Sequence, residues 1–370
     1  MQRFFLLQVI TPHYHQELAL ENMQELEDLV KTYGGQAVEK SVQHRVKPHP
    51  NTYIGTGKVE WLKEQVKAQK INVVVLNDIV NSGQLFRLEK SLWEVNRQIQ
   101  VWDRVDLILN IFEQHATTTE ARLQIQLARI RHLGPRVYGL GKTLLSRQGG
   151  GIGTRGAGET NIELERRNIR KMTQKLEQQL KKLSQDKEQR IRHRKERGLS
   201  TVALVGYTSA GKTSLFNALT SKRKEAHAKL FTTLDSSVGK FSPGGEKQKI
   251  LLSDTIGFIQ DLPPSLIEAF RSTLLESIQA DLLLHVVDVG DPKIEEKMEV
   301  VNEILHELEI HKKPLFVFNK IDQLQAPQIE ALQNLYSAEN VHFVSAKTGE
   351  GIEKLKEHVF ALLQKAPRNQ

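Results

Sequence analysis

Apolar and polar positions fall into short blocks that alternate between strand and helix signals. Phe4–Ile10 is a nearly unbroken apolar run and reads as a buried strand. Gln16–Tyr33 is amphipathic at helical spacing and is closed by Gly34-Gly35, a plausible C-cap. A polar strand over Ala37–Val46 and a turn at Lys47-Pro48-His49-Pro50 follow. Ile54-Gly55-Thr56-Gly57-Lys58 then leads into a helix through about Lys70. Ile71–Leu76 is continuous, apolar and β-branched, the pattern of a strand covered on both faces. Ser82 is placed to cap a helix reaching Trp93, and Ile99–Trp102 is one more short strand. These blocks predict a small α/β domain over residues 1–111.

From Val105 to His132 the pattern is helical and long, and it stops at Gly134-Pro135. A glycine-rich stretch runs from Gly149 to Thr160. Beyond it Ile169, Met172, Leu176, Leu180 and Leu183 recur three or four residues apart on an otherwise charged segment. A stripe this narrow needs a partner, and the Leu123–Leu133 helix is the nearest one. Residues 112–197 therefore read as a helical hairpin carrying a Gly-rich loop, and Gly198 begins a linker. From there Thr201–Val205, Ile250–Ser253, Leu282–Val287, Leu315–Phe318 and Val341–Val344 alternate with helical patterns. That rhythm predicts βαβ units, a mainly parallel sheet and helices on both faces over 198–370.

Composition adds three constraints. The chain has no cysteine, which excludes disulfides and thiolate metal sites and suits a reducing cytoplasm. No run approaches the roughly 20 apolar residues of a membrane span, and the first fifteen residues lack the form of a signal peptide. A soluble, cytoplasmic protein is expected. The net charge is +8, and Glu163–Arg197 alone holds thirteen Lys or Arg against six Asp or Glu. The excess therefore sits on one helical segment, as a polyanion-binding element requires.

The chemistry lies in the last domain. Gly206-Tyr207-Thr208-Ser209-Ala210-Gly211-Lys212-Thr213 follows a strand and opens a helix, in the phosphate-loop pattern. Its backbone N–H groups, with Ser214 behind them, are expected to surround the phosphates. Lys212 would reach the β- and γ-phosphates, and the Thr213 hydroxyl would ligate Mg²⁺. Asp254-Thr255-Ile256-Gly257 ends a strand, with Asp254 suited to hold Mg²⁺ through water and Gly257 N–H suited to meet the γ-phosphate. Asn319-Lys320-Ile321-Asp322 ends another. There Asp322 can accept from both N1–H and the amino group of guanine, a donor pair that adenine does not offer. Ser345-Ala346-Lys347 ends the last strand and brings the Ala346 N–H toward guanine O6. The phosphate loop is specific by itself and each of the three shorter motifs is weak alone, but the four in order at strand ends specify a guanine nucleotide site.

This set resembles the translation-factor-like class of P-loop GTPases, which implies GTP and GDP as ligands and Mg²⁺ as cofactor. In that pattern Phe231-Thr232-Thr233-Leu234-Asp235 is the first switch, with Thr233 closing over the metal (Thr213, Thr233 and Asp254 as metal residues). Lys212, Thr233 and Gly257 are the expected catalytic set. After the Asp254–Gly257 motif, where many relatives carry a water-orienting glutamine, stands Phe258. A phenyl ring makes no such hydrogen bond, so unassisted hydrolysis should be slow and a partner or another group should complete the site.

Asn51 to Val59, Asp103-Arg104 with Leu107-Ile108-Leu109, Ser146 to Gly156 and on to Thr160, Gly206-Tyr207-Thr208 and Phe231–Asp235 are similar to the HflX family from about residue 4 to 363. The resemblance implies a stress-linked GTPase that binds the large ribosomal subunit, RNA and protein, and splits stalled ribosomes, the hairpin loop approaching RNA through Arg155. It is expected to act as a monomer. Two departures stand out: Ser209 replaces the usual asparagine that helps hold potassium, and the chain ends soon after the GTPase domain. The Gly-rich segment can also be read as a second phosphate loop or a plain connector. The alternatives to ribosome splitting are a GTP-gated module docking on a membrane surface or protein, and a GTPase of large-subunit assembly.

Overall fold

A computed structural model of the chain describes residues 1–12, 16–132, 157–220, 237–241, 250–259, 266–267, 270–271, 274–336 and 340–365. It divides into two compact units, Met1–Gln114 with Arg122–Gln179, and His115–Ala121 with Leu180–Gln370. Gly149–Gly156 and Phe231–Asp235 lie outside the described residues.

The first unit is built on four parallel strands, β1 (Arg3–Ile10), β2 (Gln36–His44), β3 (Val73–Leu76) and β4 (Gln100–Asp103), in the order β2-β1-β3-β4. The apolar runs became its centre: all four residues of β3 are buried, and polar β2 took an edge. Helices α1 (Gln16–Tyr33), α2 (Thr56–Ala68), α3 (Ser82–Leu92) and α4 (Arg104–His115) alternate with the strands. Phe5, Leu7 and Val9 pack with Leu62 of α2 and Leu88 of α3. Gly34, at φ +92°, ends α1 by sending its N–H to Lys31 while Gly35 N–H reaches Val30, a Schellman cap.

Two expectations need correction here. The N-cap of α3 is Asn81, whose side chain accepts from Gly83 N–H at 2.9 Å, and Ser82 is the first helical residue. Asn, like Ser, caps well, so the one-residue shift was a choice between two good caps. The long helix expected over 105–132 is two helices. α4 ends at His115, and α5 covers 119–132 after Thr118 Oγ1 accepts from Ala121 N–H. His132 at the end of α5 meets the buried carboxylate of Asp103 at 3.1 Å, joining α5 to the end of β4.

α6 (Ala157–Glu196) is the long charged helix. Arg131 pairs with Glu177 at 2.9 Å in the first unit, and Lys187 with Glu120 at 3.9 Å in the second. Leu176 and Leu180 of the stripe are buried, whereas Met172 is exposed. Gly198, at φ +69°, closes α6 with a second Schellman cap, its N–H on Lys195 and that of Leu199 on Arg194.

The second unit carries a six-stranded sheet in the order β10-β9-β8-β5-β7-β6: β5 (Thr201–Val205), β6 (Ser237–Phe241), β7 (Ile250–Asp254), β8 (Leu282–Asp288), β9 (Leu315–Asn319) and β10 (Val341–Phe343). Every pairing is parallel except that of β6 with β7. On one face α7 (Lys212–Leu219) and the helix Ile352–Lys365 pack Phe216 and Val359 against Val202, Leu252 and Leu284. On the other, Val287 and Phe318 meet residues of the helices Ile294–Glu307 and Ala326–Leu335. Among the described residues no helix is long and apolar enough to cross a membrane.

Candidate nucleotide-binding site

The site residues stand where parallel strands give way to loops, at the carboxyl edge where doubly wound sheets bind ligands. β5 buries Val202–Val205 completely and hands the chain to Gly206. A Cβ on Gly206, at φ +149°, would lie 2.3 Å from the Val286 carbonyl, so only glycine lets the loop leave this close to β8. Ser209 at φ +61° and Gly211 at φ +91° continue a loop of left-handed and ordinary residues, the backbone form that gathers N–H groups for an anion. A Cβ on Gly211 would meet Asn319 Nδ2 at 2.3 Å. Gly211 is the N-cap of α7 and offers no side chain to its first N–H groups.

Lys212 is buried, and its ammonium donates to the carbonyls of Gly206 at 3.0 Å and Tyr207 at 2.8 Å. It thus lies across its own loop. Burial pushes its pKa down to about 8, partly opposed by the nearby Asp254 carboxylate. The folded value is below the unfolded one, so the bound proton is lost as pH climbs through 8. A phosphate beside the ammonium would hold that proton. GDP affinity is therefore expected to be full below pH 8 and to fall from pH 8 to 9 by up to about tenfold, one unit of proton linkage. Titration calorimetry in buffers of different ionisation heat checks this; a flat affinity with no proton uptake would refute it.

Thr213 Oγ1 donates to Asp254 Oδ2 at 3.0 Å, and Ser214 is half-buried one residue on. Two hard oxygen donors side by side match the ligand chemistry of Mg²⁺. Asp254 is fully buried at the end of β7, and Thr255 Oγ1 is tied to the Leu204 carbonyl at 2.5 Å. Ile256 is buried. A Cβ on Gly257 would meet Thr208 Cα at 2.9 Å and Lys212 Nζ at 3.0 Å, which brings this glycine against the phosphate loop. Phe258 closes the contact: its N–H donates to Gly206 O at 3.1 Å and its carbonyl accepts from Thr208 N–H at 2.7 Å.

The Phe258 ring is only 2% exposed and belongs to the interior. Phe258→Gln should therefore not create a fast enzyme. It should leave partner-free turnover unchanged within about threefold and cost about 3 kcal/mol of stability, because an amide replaces a ring in an apolar site. Single-turnover assays and chemical denaturation measure both, and a large gain in rate would sink this reading.

At the other end of the edge, Asn319 is a bridge. Its Nδ2 donates to the Ala210 carbonyl at 2.9 Å and its Oδ1 accepts from Ala346 N–H at 3.0 Å. Lys320 adopts φ +71° and bonds the Asp288 carboxylate, while Ile321 is buried in the apolar cluster of that face. Asp322 Oδ1 accepts from the buried Ser345 hydroxyl at 2.6 Å, and exposed Lys347 stands 3.9 Å from its other oxygen. All the expected phosphate-loop, Asp254–Gly257, Asn319–Asp322 and Ser345–Lys347 residues thus lie along one sheet edge. The five first-switch residues, Thr233 included, fall outside the described residues.

Two neighbours were not foreseen. Asp288 is a polar residue ending a buried strand, the same signal that marked Asp254 and Asn319. His285 offers no such sign, since it interrupts an apolar run without a motif. Burial and the Lys212 charge depress its pKa to about 3, its Nδ1 has no hydrogen-bond partner, and its ring lies 5.2 Å from that of Phe316.

Comparison with known proteins agrees with this geometry. Residues 20–113 match the family described as GTP-binding GTPase N-terminal, 115–194 the GTP-binding GTPase middle region, and 201–320 the 50S ribosome-binding GTPase. GTPase HflX of Lacrimispora saccharolytica is 43% identical over 357 residues, spanning 96% of this chain and 81% of that protein. GTPase HflX of Escherichia coli is 39% identical over 344 residues, 93% and 79% of the two chains. The crystal structure of the SsGBP–GDP complex shares the fold, with a TM-score of 0.53, 24% identity and coverage of 98% of this chain and 99% of that one. A P-loop GTPase fold, a guanine nucleotide site and this kinship place the chain in the HflX family of GTP-hydrolysing enzymes.

Proposed function

We propose that this GTPase binds the large ribosomal subunit and dissociates stalled or idle ribosomes, with the GTP state active and hydrolysis resetting it. The observation that carries the proposal is α6. Eleven of the thirteen Lys and Arg between Glu163 and Arg197 are exposed, a basic helix borne by a chain whose GTPase domain matches a ribosome-binding family. Such a helix binds the phosphates of RNA through charge. Residues 1–111, 112–197 and 198–370 act as the α/β domain, the RNA-contacting hairpin and the motor, and the protein works as a cytoplasmic monomer.

In the motor, the loop Gly206–Thr213 and Ser214 hold the phosphates, and Lys212 neutralises them. Thr213, Asp254 and Thr233 hold Mg²⁺, which when bound shields the charge of the β- and γ-phosphates. Gly257 N–H senses the terminal phosphate, Asp322 reads the guanine edge, and Ala346 N–H reads its carbonyl. Asn319, Lys320 and Lys347 keep those readers in place.

GTP turnover measured with and without purified large subunits, at one salt concentration and with Lys212→Ala as blank, tests the partner. Strong stimulation is the expected result. Its absence, with nucleotide binding intact, would refute the ribosome reading and favour a membrane or protein partner. Light scattering of intact ribosomes then separates splitting from subunit assembly.

A further inference from the structure

The last turns of α6 lie against the sheet that carries the nucleotide site. Along β7, Ile250 and Leu252 share the apolar cluster of α7, so Leu251 and Ser253 point to the opposite face. There Ser253 Oγ donates to Glu276 Oε2 at 2.8 Å, and Glu276 Oε1 is 3.4 Å from Arg194 Nη1 of α6. Glu276 keeps only 10% of its side chain exposed and Ser253 is buried. Ile191 and Arg194, with Val238, Leu251, Ser253 and Glu276, line a void of about 10 Å³, room for one water at most.

The position of this contact matters more than its strength. Val238 and Ser253 are Cα partners in the antiparallel β6–β7 pair, and the next rung is Ser237 with Asp254. Asp254 opens the Asp254–Gly257 motif expected to meet Mg²⁺ and the terminal phosphate. The end of α6 therefore touches the strand pair one rung below Asp254.

We infer that Arg194, Glu276 and Ser253 form a positioning relay through which α6 sets the placement of Asp254. The inference rests on the reading of Asp254 as a Mg²⁺ residue. Ser253 and Asp254 point to opposite faces of one strand, so a load on the first moves the second. Asp254 is fully buried and holds Thr213 at 3.0 Å, so a small displacement changes the spacing of the two oxygen donors. An ion pair at a helix end is ordinarily a weak clasp. Here one member is nearly buried and also holds a strand hydroxyl. A polyanion gripping the exposed Arg190, Arg192 and Lys195 on the same turns would act on hydrolysis by moving Arg194.

The test uses the full chain and single-turnover GTP hydrolysis titrated with Mg²⁺. Ser253→Ala and Arg194→Ala should each raise the half-saturating Mg²⁺ concentration about threefold to tenfold, the size of coupling usual within one network, with the rate at saturating Mg²⁺ held within twofold. The double variant should be no worse than either single one, and Arg194→Lys should recover most of the shift. Unchanged Mg²⁺ midpoints, or losses that follow melting temperature and add in the double variant, would leave a plain structural clasp and overturn the relay. Asp254→Asn is the reference: if it too leaves the Mg²⁺ requirement unchanged, the metal assignment fails first and the relay with it.

Discussion

Lys212→Ala should lower single-turnover GTP hydrolysis by about 10²–10³, the usual effect of removing one preorganised charge from a transition state. The ammonium is buried and held between the Gly206 and Tyr207 carbonyls, so its charge is fixed in place before the nucleotide arrives. His285, which feels the Lys212 charge, is held neutral by burial and does not substitute. The fold should survive. Burial of this lysine disfavours its charged form, so its loss removes an unfavourable term along with two hydrogen bonds. A melting temperature within a few degrees of the parent, beside a collapsed rate, is the expected pair of results. A rate within threefold would mean that the loop does not bind phosphates as proposed.

Asp322→Asn should exchange guanine for xanthine. Asp322 accepts at one oxygen from the Ser345 hydroxyl at 2.6 Å, and this seat fixes how the side chain is turned. In the asparagine variant the amide oxygen keeps the Ser345 bond and the NH₂ group takes the outward place. It then faces the N–H donors of guanine, donor against donor, and should weaken GTP by about a hundredfold or more. Xanthine carries a carbonyl where guanine has its amino group and accepts from that NH₂. Competition of GTP, XTP and ATP against a fluorescent nucleotide decides it. Equal losses for GTP and XTP would show that the segment is merely structural.

Most of this site was legible because its residues do something that burial alone cannot explain. Asp254, Asn319 and Ser345 each end an apolar run with a polar group; the fold made the first two strand termini and set Ser345 two residues past β10, all at one edge. The strand cores of both sheets were legible for the same reason, since Val73–Leu76 and Leu282–Val287 can only be covered on both faces. What escaped were contacts made across the chain or by backbone. The union of Phe258 with Gly206 and Thr208 uses main-chain groups that every residue has. Glu276 carries no motif, and its meaning comes only from Arg194 and Ser253 arriving beside it. Strand β6 is a five-residue edge with a glycine inside, too short to announce itself by alternation. The break between α4 and α5 left a trace in Thr117-Thr118-Thr119, a cluster suited to capping that the surrounding apolar rhythm obscured.

Asn319 holds the Ala210 carbonyl with one end of its amide and the Ala346 N–H with the other. Two loops proposed to meet opposite ends of a nucleotide are thereby tied to a single side chain. Through that shared tether, ordering one loop should favour ordering the other and so link the two halves of the ligand. Guanosine and pyrophosphate, offered as separate fragments, should each bind the protein better in the presence of the other. The intact nucleotide, which orders both loops in one event, should bind more tightly than the fragments' separate free energies predict.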